Sequence, residues 1–197
     1  MADRIIRIVE GAKKDRKLMS LVSQRLDEFK RNRRYFSELC FCTLTAGASA
    51  LSGIKCQDAL HGRFHSLNEK ELQKELKALG YRFHNRAEYI CSNQPKIPLL
   101  GKIVKNPSIE ARDILIKNFK GIGMKEASHF LRNIGREDVA IIDKHILRSL
   151  GFNVESVSQK NYLEIEDKLR KIAESTGTNL AELDLILWHN QTGKVLK

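Results

Sequence analysis

The sequence of 197 residues has few of the features that mark membrane, secreted or metal-cluster proteins. No apolar run approaches the ~18 residues of a membrane-spanning helix. The four cysteines form no C-x-x-C pair, which argues against the common zinc and iron–sulfur spacings and predicts free thiols in a reducing compartment. His61 and His65 are four residues apart, but without a carboxylate or cysteine partner we expect a structural pair. These absences predict a cytoplasmic protein without a metal.

Acidic residues are also scarce, because 24 Asp and Glu stand against 35 Lys and Arg, for a formal net charge of +11. A content of 42% hydrophobic and 30% charged residues is typical of a folded globular protein. The positive excess predicts a polyanionic partner and favours nucleic acid. The densest cluster is Lys30, Arg31, Arg33 and Arg34, which fits a solvated helix end and a phosphate contact equally well.

Alternation of the strand type is nearly absent, whereas helical periodicity is present along most of the chain. Apolar residues recur at intervals of three, four and seven over residues 18–29, 162–173 and 180–187. Glycines at the ends of periodic segments are expected to be helix C-caps. They are Gly53, Gly80, Gly135, Gly151 and Gly177. We therefore predict an all-α fold of about nine or ten helices.

The most informative segment runs from Leu115 to Ala127 and reads LIKNFKGIGMKEA. One helix is expected to begin near Pro107 and a second to run from Lys125 to about Ile134, with Gly121-Ile122-Gly123 as the turn between them. Both glycines permit a positive φ and a close approach of a nucleic-acid backbone. The N–H groups of the turn and the positive end of the second helix dipole suit one phosphate. The pattern predicts a helix–hairpin–helix in residues 107–134, although an ordinary helical hairpin is the alternative.

Two residues near this turn could carry chemistry. Lys125 lies at the start of the second hairpin helix, where the helix dipole and burial disfavour the charged amine, and nucleophilic lysine chemistry requires the neutral form. Asp143 follows four apolar residues and precedes a helical segment, so it is predicted to be an N-cap. A carboxylate held against an apolar wall is also a candidate for catalysis.

This combination of Gly-x-Gly, Lys125 two positions later and an aspartate after eighteen more residues resembles the helix–hairpin–helix DNA glycosylase superfamily. Within it, the chain resembles the archaeal-type 8-oxoguanine DNA glycosylase/AP lyases. The missing four-cysteine cluster argues against the endonuclease III branch, and the length fits the compact archaeal type. The ending, residues 187–197, is also similar to that family.

The resemblance implies one glycosylase domain over residues 1–197 with two helical lobes and the active site in the cleft between them. We expect one lobe to hold residues 1–54 and 150–197, and the other to hold residues 55–149.

The resemblance also implies the chemistry. Lys125 attacks C1′ of a flipped nucleotide, Asp143 stabilises the charge that develops on the sugar, and β-elimination from the Schiff base cuts the strand. The carboxylate of Lys197 accepts the N7 proton that distinguishes 8-oxoguanine from guanine, and Trp188 and Phe83 stack on the base. No metal or redox cofactor is expected.

The implied partner is double-stranded DNA containing 8-oxoguanine or abasic sites, bound by a monomer in a prokaryotic cytoplasm at the nucleoid, with no membrane. Two alternatives stay open. A sister glycosylase for other oxidised bases would use the same Lys125 and Asp143. A non-enzymatic DNA-binding module would need only the Gly121-Ile122-Gly123 turn and the basic surface.

Overall fold

The structure, a computed structural model, describes residues 2–60, 62–154 and 156–197, so the prediction for His61 lies outside the described residues. Within these ranges the regular elements are twelve α-helices and one 3-10 turn over Gln94–Lys96. The all-α prediction is confirmed, with twelve α-helices in the described residues where about nine or ten were expected. The helices are α1 (Ala2–Lys14), α2 (Arg16–Arg31), α3 (Tyr35–Thr45), α4 (Ala50–Ala59), α5 (Glu69–Ala78), α6 (Arg86–Asn93), α7 (Ile97–Ile103), α8 (Ser108–Asn118), α9 (Met124–Asn133), α10 (Lys144–Ser149), α11 (Gln159–Ser175) and α12 (Leu180–Thr192). In the described part of the chain no helix is long and apolar enough to cross a membrane.

Short polar side chains define where many of these helices begin. At the start of α2, α4, α5, α10, α11 and α12, an Asp, Asn or Ser side chain accepts a backbone N–H that would otherwise lack an acceptor. The capping residues are Asp15, Ser49, Asn68, Asp143, Ser158 and Asn179. The capping aspartate predicted at position 143 is therefore confirmed.

The chain divides into two compact units, which we call the terminal unit (Met1–Asn32 with Leu131–Lys197) and the central unit (Arg33–Phe130). In the terminal unit, α12 is mostly buried and packs against α1, α2, α10 and α11. In the central unit, every residue of α3 from Glu38 to Thr45 is buried, and α3 packs against α4, α6 and α7. Each unit thus has its own apolar core around one central helix.

This division differs from the lobe boundaries expected after residues 54 and 149. Residues 33–54 belong to the central unit because α3 and α4 share an apolar cluster that includes Cys40, Leu44, Cys56 and Leu60. Residues 131–149 belong to the terminal unit, where buried contacts described below join them to α11 and α12. Such long-range packing leaves no mark in local periodicity.

Gly53 is not a C-cap, because it lies inside α4. A Cβ at this position would lie 2.6 Å from Cγ2 of Thr45 and 3.1 Å from Cε2 of Phe41, so glycine allows α4 to approach α3 closely. Gly80, Gly135, Gly151 and Gly177 do follow helix ends with positive φ, as predicted.

Candidate functional site

The turn between α8 and α9 is built around a glycine that a larger residue would disturb. Gly121 has a φ of +77°, in the left-handed region that favours glycine. A Cβ here would lie 2.5 Å from Cδ2 of Tyr89, closer than packed carbon atoms approach. The backbone conformation and the Tyr89 ring therefore both require glycine at position 121.

Asn93, at the end of α6, holds the same turn in place with its amide side chain. No sequence motif identifies this residue. Asn93 is buried, and its Oδ1 accepts the backbone N–H of Lys120 at 2.8 Å. Its Nδ2 donates to the carbonyl oxygen of the same residue at 3.0 Å. Because both backbone groups of Lys120 are held by one buried side chain, the chain is fixed at the residue directly before the turn.

Two cations lie beside the turn, against the ring of Tyr89. The ring centroid is 5.1 Å from the Arg86 guanidinium carbon and 5.3 Å from Nζ of Lys120. Lys120 is exposed and pairs with Glu88, and the hydrogen bond to that carboxylate raises the pKa of Lys120. Arg86 and Lys120 therefore place two positive charges beside the turn, and the Glu88 carboxylate offsets one of them.

The other two residues of the turn are Ile122 and Gly123. Ile122 is buried and its N–H donates to the carbonyl oxygen of Phe119 at 3.3 Å, so this residue anchors the turn in the apolar core. Gly123 does not have a positive φ, contrary to the expectation for both glycines. The nearest atom to a Cβ at Gly123 would be Oε2 of Glu126, at 3.2 Å. Glycine here leaves the first turn of α9 accessible.

Lys125 lies in the first turn of α9, as predicted, and its side chain is 29% exposed. Its Nζ lies 3.3 Å from Oε1 of Glu126. The other carboxylate oxygen of Glu126 accepts the N–H of Gly123, also at 3.3 Å. The predicted nucleophile is therefore a partly exposed amine at the N-terminal end of a helix.

Asp143 caps α10 with one of its two carboxylate oxygens. Oδ1 accepts the N–H of His145 at 2.8 Å and the N–H of Ile146 at 2.9 Å. Both capping bonds use the same oxygen, so capping places no demand on Oδ2. Cap and catalyst are thus geometrically compatible roles for this residue.

The apolar segment before Asp143 is held in place by side chains of α11. Glu166 accepts the N–H of Ala140 at 2.8 Å. The hydroxyl of Tyr162 donates to the carbonyl oxygen of Ala140 at 2.7 Å and accepts the N–H of Ile142 at 3.1 Å. These buried bonds fix the backbone that delivers Asp143 to the start of α10.

A second carboxylate in the terminal unit was not predicted. Asp184 on α12 pairs with Arg132 at 2.9 Å, and the two side chains are 13% and 4% exposed. Burial raises the pKa of Asp184 to about 6, Arg132 opposes that shift, and the nearby Asp143 adds to it. Asp143 therefore lies within electrostatic range of a buried ion pair. An acidic residue on an otherwise apolar helix face is the signal that could have identified Asp184.

The three residues predicted to recognise a base lie in different parts of the chain. Trp188 is half-buried, with its ring centroid 4.7 Å from that of His145 at an angle of 72°. Gly193 ends α12 with a φ of +69°, and the tail from Val195 to Lys197 is half-buried. Phe83 is 37% exposed, with its ring centroid 6.1 Å from that of Tyr81.

The terminal unit thus contains Asp143, Trp188 and Lys197, and Trp188 contacts the helix that Asp143 caps. The central unit contains Phe83, the Gly121-Ile122-Gly123 turn and Lys125. The turn and Lys125 lie side by side, because α9 begins directly after the turn and Lys125 is its second residue.

A family model described as 8-oxoguanine DNA glycosylase of the helix–hairpin–helix type matches residues 22–178. The chain is 45% identical to the 8-oxoguanine DNA glycosylase/AP lyase of Methanocaldococcus jannaschii, over 93% of this chain and 95% of that one.

Two crystal structures are closely similar to the whole chain. The 8-oxoguanine glycosylase/lyase of M. jannaschii, in complex with a 15-mer DNA containing 8-oxoguanine, has a TM-score of 0.92 at 43% identity, covering 98% of this chain and 99% of that one. The 8-oxoguanine DNA glycosylase of Thermotoga maritima has a TM-score of 0.93 at 40% identity, with full coverage of both chains.

Proposed function

Because the chain belongs to the helix–hairpin–helix 8-oxoguanine DNA glycosylase family, we propose that it is a bifunctional DNA glycosylase/AP lyase of base excision repair. It excises 8-oxoguanine through a lysine Schiff base and cleaves the strand by β-elimination. The observation that carries the proposal is Lys125 in the first turn of α9, directly after the braced glycine turn. A DNA-binding module without catalysis would not need a lysine at this position.

The glycine turn holds one phosphate of the duplex and so sets the position of the protein on the DNA. The N–H groups around Gly121 and Gly123 and at the start of α9 supply the hydrogen bonds, aided by the helix dipole. Such contacts are independent of base sequence. Exposed Lys120 adds charge beside them.

Lys125 and Asp143 then act on the flipped nucleotide. Once Nζ has given up a proton, its lone pair forms a bond to C1′ while the C1′–N9 bond breaks and its electrons leave with the base, which takes up a proton. The Asp143 carboxylate stabilises the positive charge that develops on the sugar. The nitrogen loses a second proton and the C1′–O4′ bond breaks, which gives a protonated Schiff base and a hydroxyl at C4′. Loss of a C2′ proton follows, and the C3′–O bond breaks with its electrons leaving on the 3′ phosphate. Each step needs only an amine, a carboxylate and proton transfer.

Discrimination between 8-oxoguanine and guanine requires an acceptor for the N7 proton of 8-oxoguanine, since guanine has no proton at N7. The carboxylate of Lys197, at the end of a half-buried tail, is proposed to be that acceptor. Half-buried Trp188 and exposed Phe83 supply aromatic surface for the base.

We expect two single substitutions in the turn to separate folding from DNA binding. Gly121→Ala meets both a positive φ and the Tyr89 ring, so the free energy of unfolding falls by about 2 kcal/mol or more. Gly123→Ala leaves stability within about 0.5 kcal/mol but weakens binding to damaged and undamaged duplex alike, because its methyl group occupies the approach of the phosphate. Thermal unfolding and fluorescence anisotropy measure the two effects. Selective loss of binding to damaged DNA would contradict the positioning role of Gly123.

Deleting Lys197, or adding residues after it, is expected to lower excision of 8-oxoguanine about a hundredfold. A site built to bind a proton donor loses specificity steeply when the acceptor is withdrawn. Cleavage at a ready-made abasic site should change little, because that substrate has no base to recognise and Lys125 is intact. A paired assay of one variant on the two substrates measures the difference.

Gly193 ends α12 before the tail, so the helix should remain folded in both tail variants. Circular dichroism checks this point. Equal losses on the two substrates would indicate a folding role for the tail, and no loss on either would refute base recognition by Lys197.

Borohydride reduction during reaction with a duplex carrying one 8-oxoguanine tests the function itself. A Schiff-base enzyme is trapped as a covalent adduct, and undamaged duplex gives none. A non-enzymatic module yields no adduct with either substrate. Competition with duplexes carrying oxidised pyrimidines separates the sister glycosylase from the proposed specificity.

The proposed partner is double-stranded DNA with 8-oxoguanine or abasic sites, bound by a monomer. We propose that it acts in the cytoplasm, at the nucleoid, where this substrate lies. A net charge of +11 supports DNA as the partner and predicts that the affinity for DNA falls steeply as the salt concentration rises.

A further inference from the structure

Glu126 connects the two functional parts of α9. Its Oε1 lies 3.3 Å from Nζ of Lys125, and its Oε2 accepts the N–H of Gly123 at 3.3 Å. The side chain is 16% exposed, so the carboxylate lies against the protein surface. One carboxylate therefore contacts both the proposed nucleophile and an N–H group at the proposed phosphate position.

Helix capping accounts for only part of this arrangement. A complete capping box occurs at the start of α5. The Asn68 side chain accepts the backbone N–H of Glu71 at 3.1 Å, and the Glu71 carboxylate accepts the backbone N–H of Asn68 at 2.9 Å. Glu126 occupies the equivalent third position of α9, but glycine at position 123 has no side chain to complete the box. The bond to Gly123 is also longer, and the contact with Lys125 contributes nothing to capping.

We infer that Glu126 is a positioning residue that occupies the anion position of the turn in the DNA-free protein and releases Lys125 when a phosphate takes that position. The inference rests on the proposed function, because it assigns the Gly123 N–H to a DNA phosphate. It adds a link between binding of the backbone and availability of the nucleophile.

The physical basis is competition between two anions for one donor. A phosphate oxygen bonded to the Gly123 N–H would lie close to the Glu126 carboxylate, and the two negative charges repel each other. A bond of 3.3 Å is near the long limit for N–H···O, so its loss costs little. Since both contacts belong to the same carboxylate, displacement from Gly123 also moves the charge that holds Lys125.

Glu126→Gln and Glu71→Gln form a matched pair for testing this inference. Both remove one negative charge, and both replace the third residue of a helix in the central unit with an amide that can still accept a backbone N–H. We expect Glu126→Gln to tighten binding to undamaged duplex by about fivefold, the effect of one charge at a helix N-terminus. Glu71→Gln should tighten it by less than about twofold, because Glu71 lies outside the turn. Equal effects would reduce Glu126 to a contribution to net charge and overturn the inference.

Titration with inorganic phosphate separates displacement from simple proximity of charge. The amide NMR signal of Gly123 should shift at about fivefold lower phosphate concentration in Glu126→Gln than in wild type, while Glu71→Gln matches wild type. The same phosphate dependence in all three proteins would mean that Glu126 does not compete at this N–H.

Kinetics on an abasic duplex supply the remaining readout. The tighter binding of Glu126→Gln should appear as a lower KM for formation of the reducible adduct. The rate at saturating duplex should not change, because in the wild-type complex the Glu126 carboxylate has already left Lys125. A lower single-turnover rate at saturating duplex would instead place Glu126 in the chemistry and overturn the positioning role. The binding and phosphate measurements do not depend on excision, so they remain interpretable if the glycosylase activity itself fails.

Discussion

We expect Lys125→Gln to abolish base release and strand cleavage while duplex binding stays within about threefold of wild type. Removal of the nucleophile closes the covalent route, and we expect rates to fall by at least about a thousandfold. Binding survives because Asn93 holds the turn at Lys120 and Tyr89 packs on it at Gly121, and the substitution changes neither contact. Glutamine is also a good helix former, so α9 should be unchanged. Borohydride trapping and anisotropy measure the two properties on the same sample.

Two other lysines provide the controls for this experiment. Lys120 directly precedes the turn and pairs with Glu88, and exposed Lys144 follows Asp143 in the sequence. Lys120→Gln and Lys144→Gln should retain the reducible adduct. An adduct that persists in Lys125→Gln and disappears in one of these variants would transfer the role of nucleophile to that lysine.

The hairpin could be predicted from sequence because its determinants are local. Two periodic helices, a Gly-x-Gly turn and a following lysine lie within about thirty residues, and α8 and α9 begin and end close to the predicted positions. The N-cap at Asp143 is equally local, since capping depends on one side chain and the next three residues.

The parts that escaped prediction depend on contacts between residues far apart in sequence. Tyr89 and Asn93 shape the turn from about thirty residues away, and neither belongs to a recognisable motif. Asp184 meets Arg132 only after α12 packs in the terminal unit. The anchoring of the turn by the buried Ile122 side chain likewise depends on the folded core, because the motif does not show which of its side chains packs inward. Local pattern identifies a turn but not the side chains that support it.

Asp143→Asn is expected to lower the rate of 8-oxoguanine excision by about two powers of ten or more, with little change in stability. Both capping bonds go to Oδ1, and an asparagine carbonyl oxygen can accept them, so the free energy of unfolding should change by less than about 0.5 kcal/mol. What the variant loses is the negative charge that we propose to stabilise the developing cation on the sugar.

Asp143→Ala separates the two roles of this residue. It removes the cap as well as the charge, so it should cost about 1 kcal/mol of stability beyond the asparagine variant. Its excision rate should be as low as that of Asp143→Asn, because both variants lack the carboxylate. Single-turnover excision and thermal unfolding of the two variants measure these effects. Excision should be lost in both variants, which lack the charge, whereas stability should fall only in Asp143→Ala, which lacks the cap. Wild-type excision by Asp143→Asn would mean that Asp143 acts only as a helix cap. The positive charge on the sugar would then need another carboxylate. Asp184 is the next residue to replace, because it pairs with Arg132 and lies within electrostatic range of Asp143.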